Sequence, residues 1–121
     1  MPQTETHVDQ ANHNNDFWIN VVGSSNLYFD WVVNGMFYEA VHWIEAFLAT
    51  KNMHSSSHRQ RSQTMARLPE TRGDLALIAD YTFLRIDSEN ARYWGYKHTA
   101  SEIENLKPVI KRIRTTLTAL L

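Results

Sequence analysis

NLYFDWVVNGMFYEAVHWIEAFLATKN, from Asn26 to Asn52, is a helix-length run that is apolar on nearly every side yet carries Tyr38, His42 and Glu45 along one line. A helix apolar on more than one face must be surrounded by other helices, because each large side chain left in water forfeits roughly 1.5–3 kcal/mol of burial. The run therefore predicts a central helix with the rest of the chain wrapped around it. Spacings of four and three put Tyr38, His42 and Glu45 on one face, where they can share hydrogen bonds. Such a seam is either a buried polar network that sets helix register or a place of chemistry. A histidine between aromatic residues in mid-helix is more often a satisfied core group.

Outward from this run, helical periodicity dominates and strand signals are weak. A first helix is expected from about Glu5 to Val22, with Ala11, Trp18 and Val21 or Val22 inward. Gly23-Ser24-Ser25-Asn26 should stop it and cap the central helix, which runs to about Lys51 with Asn52 at its end. Three serines, Ser55 to Ser57, predict the start of a short helix that ends near Leu68, before Pro69. A fourth helix from Glu70 or Asp74 to Asn90 has Leu77, Tyr81, Leu84, Ser88 and Ala91 on one stripe, with Leu75, Ile78 and Ile86 beside it.

Thr99 and Glu102 form a capping box that opens the last helix. There Ile103, Leu106, Ile110, Ile113, Leu117 and Leu120 make a heptad seam, suited to the bundle or to a dimer. Pro108 inside it predicts a kink or a split. The expected fold is all-α, an up-and-down bundle of four to five helices forming a single domain over residues 1–121.

Composition narrows the chemistry. The 121 residues include no cysteine, which excludes disulfides, thiolate metal sites and a cysteine nucleophile. With no apolar run of about 18 residues and no export-type N-terminus, the sequence predicts a cytoplasmic protein without a membrane span. Residues 1–50 hold six acids and no Lys or Arg, while residues 51–121 hold twelve bases and seven acids, so the halves carry about −6 and +5. Either the basic half faces a polyanion, or acids of the first two helices pair with later arginines.

Three clusters are candidates for function. His54 and His58 have a metal-ligand spacing of four, but the serines between them start a helix there and spoil the geometry, so no metal or other cofactor is expected. His58, Arg59 and Arg61 near a helix start suit an anion, or else reach across to Glu39 or Glu45 and hold the short helix down. Arg92 and His98 flank Tyr93-Trp94-Gly95-Tyr96-Lys97 in the connection to the last helix. Bases can stack on those rings, and an Arg with a His can cleave RNA without metal, the His moving a proton and the Arg stabilising phosphate charge. The bland reading of the same stretch is a packed aromatic corner. Lys107, Lys111 and Arg114 on the last helix form a stripe that is usually solvated.

The order of these features, FYEAVHWIEAFLA from Phe37 to Ala49, then HSSSHRQR, then ENARYWGY and a capped last helix, resembles the HEPN superfamily, the nucleotide-binding domains of higher eukaryotes and prokaryotes, over about residues 5–121. The resemblance implies a helical bundle that forms a homodimer. It also implies an RNA-linked or nucleotide-linked role, in many members that of a metal-independent ribonuclease of toxin–antitoxin or defence systems with a cognate partner protein. Arg92 and His98 match the spacing of that family's catalytic Arg and His, with Tyr93 beside them. Other members are non-catalytic modules that bind RNA, nucleotide or protein.

Overall fold

The computed structural model describes residues 3–24 and 27–121. Five helices make up the fold, α1 (Thr4–Ser24), α2 (Phe29–Ala49), α3 (His58–Arg67), α4 (Leu75–Tyr93) and α5 (Ala100–Thr118), with no strand among the described residues. The all-α expectation holds. α2 is the central helix and packs against α1, α4 and α5. Fifteen of its residues are buried, among them Val33, Met36, Phe37, Ile44, Phe47 and Leu48. No helix among the described residues is long and apolar enough to cross a membrane.

Local chemistry sets the helix ends. Asn52 closes α2 in the left-handed region at φ 55°, which Asn tolerates better than most residues, while the Met53 amide donates back to the Leu48 carbonyl. Ser57 caps α3 by accepting from the Gln60 amide, and Asp74 caps α4 by accepting from that of Leu77. Thr99 and Glu102 form the expected capping box at α5. The start of α2 differs from expectation. Its N-cap position is Tyr28, with no side-chain capping bond, and Ser25 and Asn26 lie outside the described residues.

Two further differences have simple causes. α4 runs three residues past Asn90 because its stop is Gly95, which at φ 65° lets the Tyr96 amide reach back to the Asn90 carbonyl. Arg92 therefore belongs to a helix rather than to the connection. α5 is neither split nor ended at Pro108. Both Pro108 and Glu104, whose carbonyl loses its intrahelical donor, are exposed, so water can satisfy that oxygen.

The seam of α5 is covered within the chain: Ile103, Leu106, Ile110, Ile113 and Leu117 are all in the core, with Leu120 packed at its edge. On α4, Leu77, Tyr81, Leu84 and Ser88 are buried as expected, whereas Leu75 and Ile86 point to solvent. α1 and α2 meet closely at Gly35, where a Cβ atom would stand 2.9 Å from Trp18 Cβ and 3.1 Å from Phe17 Cδ2.

Candidate functional site

Tyr38, His42 and Glu45 do share one side of α2, but each takes partners from a different helix rather than from one another. Glu45 is buried; it accepts from the Ser55 hydroxyl and amide and from Arg61 Nε at 3.0 Å, with His54 Nδ1 at 3.4 Å. Arg61 Nη1 reaches Tyr81 Oη at 3.0 Å and His58 Nδ1 at 2.9 Å. Of the two alternatives for this cluster, Arg61 takes the holding-down one: it is a buried partner of Glu45, not a ligand-facing cation. Arg59 is exposed and, with His58, Ser62, Gln63 and Arg85, lines a separate hollow of about 320 Å³. His54 precedes α3, and among the described residues no three His, Asp or Glu side chains converge as metal ligands.

His42 pairs with His7 of α1 through their Nδ1 atoms, 3.0 Å apart. One ring must donate and the other accept, so the contact requires at least one unprotonated nitrogen. Burial lowers the pKa of His7, opposed by the nearby Glu45 carboxylate. Burial and then the His7 charge lower that of His42. Burial followed by the Arg61 and Arg92 guanidinium groups lowers that of His58. A histidine whose folded pKa lies below its unfolded value near 6.5 favours the folded state above that pH and opposes it as pH falls through the value. The urea midpoint is therefore expected to decline from pH 7.5 to pH 5. Replacing both His7 and His42 by Gln should flatten that decline; a slope unchanged by the double substitution would contradict the assignment.

Tyr38, like His42, borders a cavity. Its hydroxyl accepts from Arg92 Nη1 at 2.6 Å, and the Arg92 guanidinium carbon lies 5.6, 5.5 and 5.0 Å from the ring centres of Phe37, Tyr38 and Tyr93. Arg92 Nε also donates to the Ser88 carbonyl, so the fork is held from two sides. It stands at the edge of a cavity of about 540 Å³ between α1 and α2. The walls combine rings and amides: Phe17, Trp31 and Tyr38 with Gln10, Asn14 and Asn34. His13, His42 and Gly35 complete the lining. Arg92 is the only Lys or Arg in it.

His98 is elsewhere. Its ring is buried in the connection after α4, edge-on to Tyr96 and with Nε2 3.7 Å from Asp87 Oδ2, and neither ring nitrogen has a hydrogen-bond partner among the described residues. The Arg92 guanidinium bonds to Tyr38 and the Ser88 carbonyl rather than reaching toward His98, and His98 does not line the Arg92 cavity. The aromatic connection between them is not a packed corner, since Trp94 is 80% exposed and Tyr93 69%.

The charge asymmetry resolves into two populations. Glu39 and Glu45 are buried and paired with Arg114 and Arg61. Glu5, Asp9, Asp16 and Asp30 form no ion pair with any described residue. Neither Trp31 nor Phe17 stands out in the sequence as a site residue; inside apolar runs they resemble core. No family model, curated protein or solved structure matches the chain.

Proposed function

We propose that the protein binds a nucleotide, or one nucleotide of a single-stranded RNA, in the cavity beside Arg92, without acting on it. The observation that supports this reading is the Arg92 guanidinium, oriented by Tyr38 and the Ser88 carbonyl at the rim of a cavity walled by aromatic rings and amides. A planar guanidinium pairs with phosphate through two parallel hydrogen bonds. Rings such as Trp31 and Phe17 offer stacking surface to a base, and Gln10, Asn14 and Asn34 offer the donors and acceptors that base edges require. About 540 Å³ lies within the range of small-molecule sites.

Titration with mononucleotides and with a short single-stranded RNA tests the reading. Saturable binding is expected that weakens about tenfold or more in Arg92→Ala, the loss of a charge-assisted bidentate contact. Arg92→Lys should recover little of it, because an ammonium cannot reproduce the fork. Binding indifferent to both substitutions would refute the site.

The unsatisfied ring of His98 favours a second reading, metal-independent RNA cleavage by Arg92 and His98. A buried imidazole with two orphaned nitrogens is uncommon and is a candidate for a proton-transfer group brought out by movement of residues 94–98. The same RNA, incubated with the protein in EDTA, separates the readings. Cleavage lost in Arg92→Ala with His98→Ala supports the nuclease, and intact RNA that is nevertheless bound supports the binding module.

A further inference from the structure

Beyond the nucleotide cavity, α1 and α2 enclose a second hollow of about 400 Å³ lined by Phe17, Val21, Tyr28 and Trp31. Its three rings are all exposed: Phe17 is 42%, Tyr28 53% and Trp31 55% exposed. Tyr28 stands at the N-cap of α2 and Trp31 in its first turn, and both border the hollow with Phe17 of α1. Gly35 brings α1 close enough for Phe17 to share the hollow, since its missing Cβ leaves room for Phe17 Cδ2. Leaving three rings in water forfeits burial, and a face of this kind marks a binding site more often than a bare surface.

The surrounding charge gives the ligand's sign. Phe17 and Val21 also border an adjoining hollow of about 370 Å³ that contains Asp16. Residues 1–50 contain no Lys or Arg, and four of the six acids that form no ion pair with a described residue, Glu5, Asp9, Asp16 and Asp30, are on α1 and α2. By contrast, each acid after residue 50 pairs with a base, with His98 or, as Asp74 and Glu102 do, with a helix-start amide. Among the described residues, the acids with neither an ion pair nor a helix-start amide thus all belong to the two helices that form this hollow. Aromatic faces attract cations through the ring quadrupole, most strongly where the cation is large and weakly hydrated.

We infer that the Phe17–Tyr28–Trp31 hollow is a binding site for an alkylated ammonium group, held by cation–π contact with the three rings and by the field of Asp16. The group can belong to a free quaternary ammonium compound or to a trimethylated lysine side chain. Phe17 and Trp31 line both hollows, but the assignment does not rest on the nucleotide reading: Arg92 borders the first cavity and not this one, and Tyr28 this one and not the first.

Calorimetric titration of the full chain with tetramethylammonium and choline, and in a second arm with a trimethyllysine peptide, tests it. The neutral choline isostere 3,3-dimethylbutan-1-ol and an unmodified norleucine peptide serve as controls. Saturable binding is expected for at least one cation, about tenfold tighter than for its neutral control, and weakened about tenfold by Trp31→Ala or Tyr28→Ala. Both side chains are largely exposed, and unchanged far-UV circular dichroism would show that the variants fold. Asp16→Asn should weaken binding severalfold. A peptide held much more tightly than the free ions assigns a protein-borne cation, and the reverse assigns a free one. Neutral controls binding equally well, no saturation in either arm, or binding unmoved by both aromatic substitutions would each overturn the proposal.

Discussion

Glu39→Ala is expected to be the most damaging single substitution in the chain, removing about 3–5 kcal/mol of stability and leaving little folded protein if the wild type is of ordinary stability. Glu39 lies in the middle of α2 with no exposed surface, and five hydrogen bonds converge on its two oxygens. Oε1 accepts from Asn15 Nδ2 at 3.0 Å, Trp18 Nε1 at 2.8 Å and Arg114 Nη2 at 3.1 Å. Oε2 accepts from Trp43 Nε1 at 2.8 Å and Arg114 Nε at 2.7 Å.

One carboxylate thus joins α1, α2 and α5. Alanine would strand two indole N–H groups in the core and a guanidinium at its edge, and each stranded buried donor costs about 1–3 kcal/mol. Glu39→Gln keeps one acceptor oxygen but loses the charge that holds Arg114, and should fall between the wild type and alanine. Urea unfolding followed by circular dichroism measures both. A Glu39→Ala protein within about 1 kcal/mol of wild type would show that the network carries no net stability.

How much of this was legible beforehand depended on whether the signal was local. The capping pair Thr99 and Glu102, the Ser57 cap and the α5 heptads are patterns contained within one helix, and they lie where the sequence places them. Leu75 and Ile86 went astray because periodicity says which residues share a face but not how wide a strip the neighbours cover. The same limit hid the candidate sites. Trp31 has the pattern of a core residue, yet it stands 55% exposed beside Phe17 and Val21 of α1.

Pairings between distant residues were the least accessible. Spacing drew attention to Arg92, yet it suggested His98 as the partner, whereas the hydroxyl that Arg92 finds belongs to Tyr38, 54 residues earlier. His7 carried no signal at all, being one of six histidines until α1 lays it against His42. The Glu45–Arg61 pair was one of the alternatives the sequence left open, beside an anion site at His58, Arg59 and Arg61 and a reach to Glu39 instead.

That pair supports the second large prediction. Arg61→Met preserves much of the aliphatic stem but removes the charge, and it is expected to cost about 3–5 kcal/mol, since Glu45 would remain a buried carboxylate without its cation. The Ser55 hydroxyl and amide would still bind Glu45, which places the expected loss toward the lower end of that range. Tyr81 would lose the donor to its hydroxyl, and α3 would lose its firmest tie to α2 and α4.

A merely structural loss of packing predicts nothing about titration, but the electrostatics do. The Arg61 charge opposes protonation of His7, His42 and His58, so all three should titrate at higher pH in Arg61→Met, while burial, the larger cause, keeps them below the ordinary histidine value. Arg61→Lys keeps the charge and loses the fork, so it should destabilise while leaving the three titrations near those of the wild type. Histidine ring resonances followed by NMR across pH 5 to 8 discriminate the two variants. Identical titration curves in Arg61→Met and wild type would mean that the Arg61 charge does not act on these rings, and a stability change under about 1 kcal/mol would mean that Glu45 needs no cation in the core.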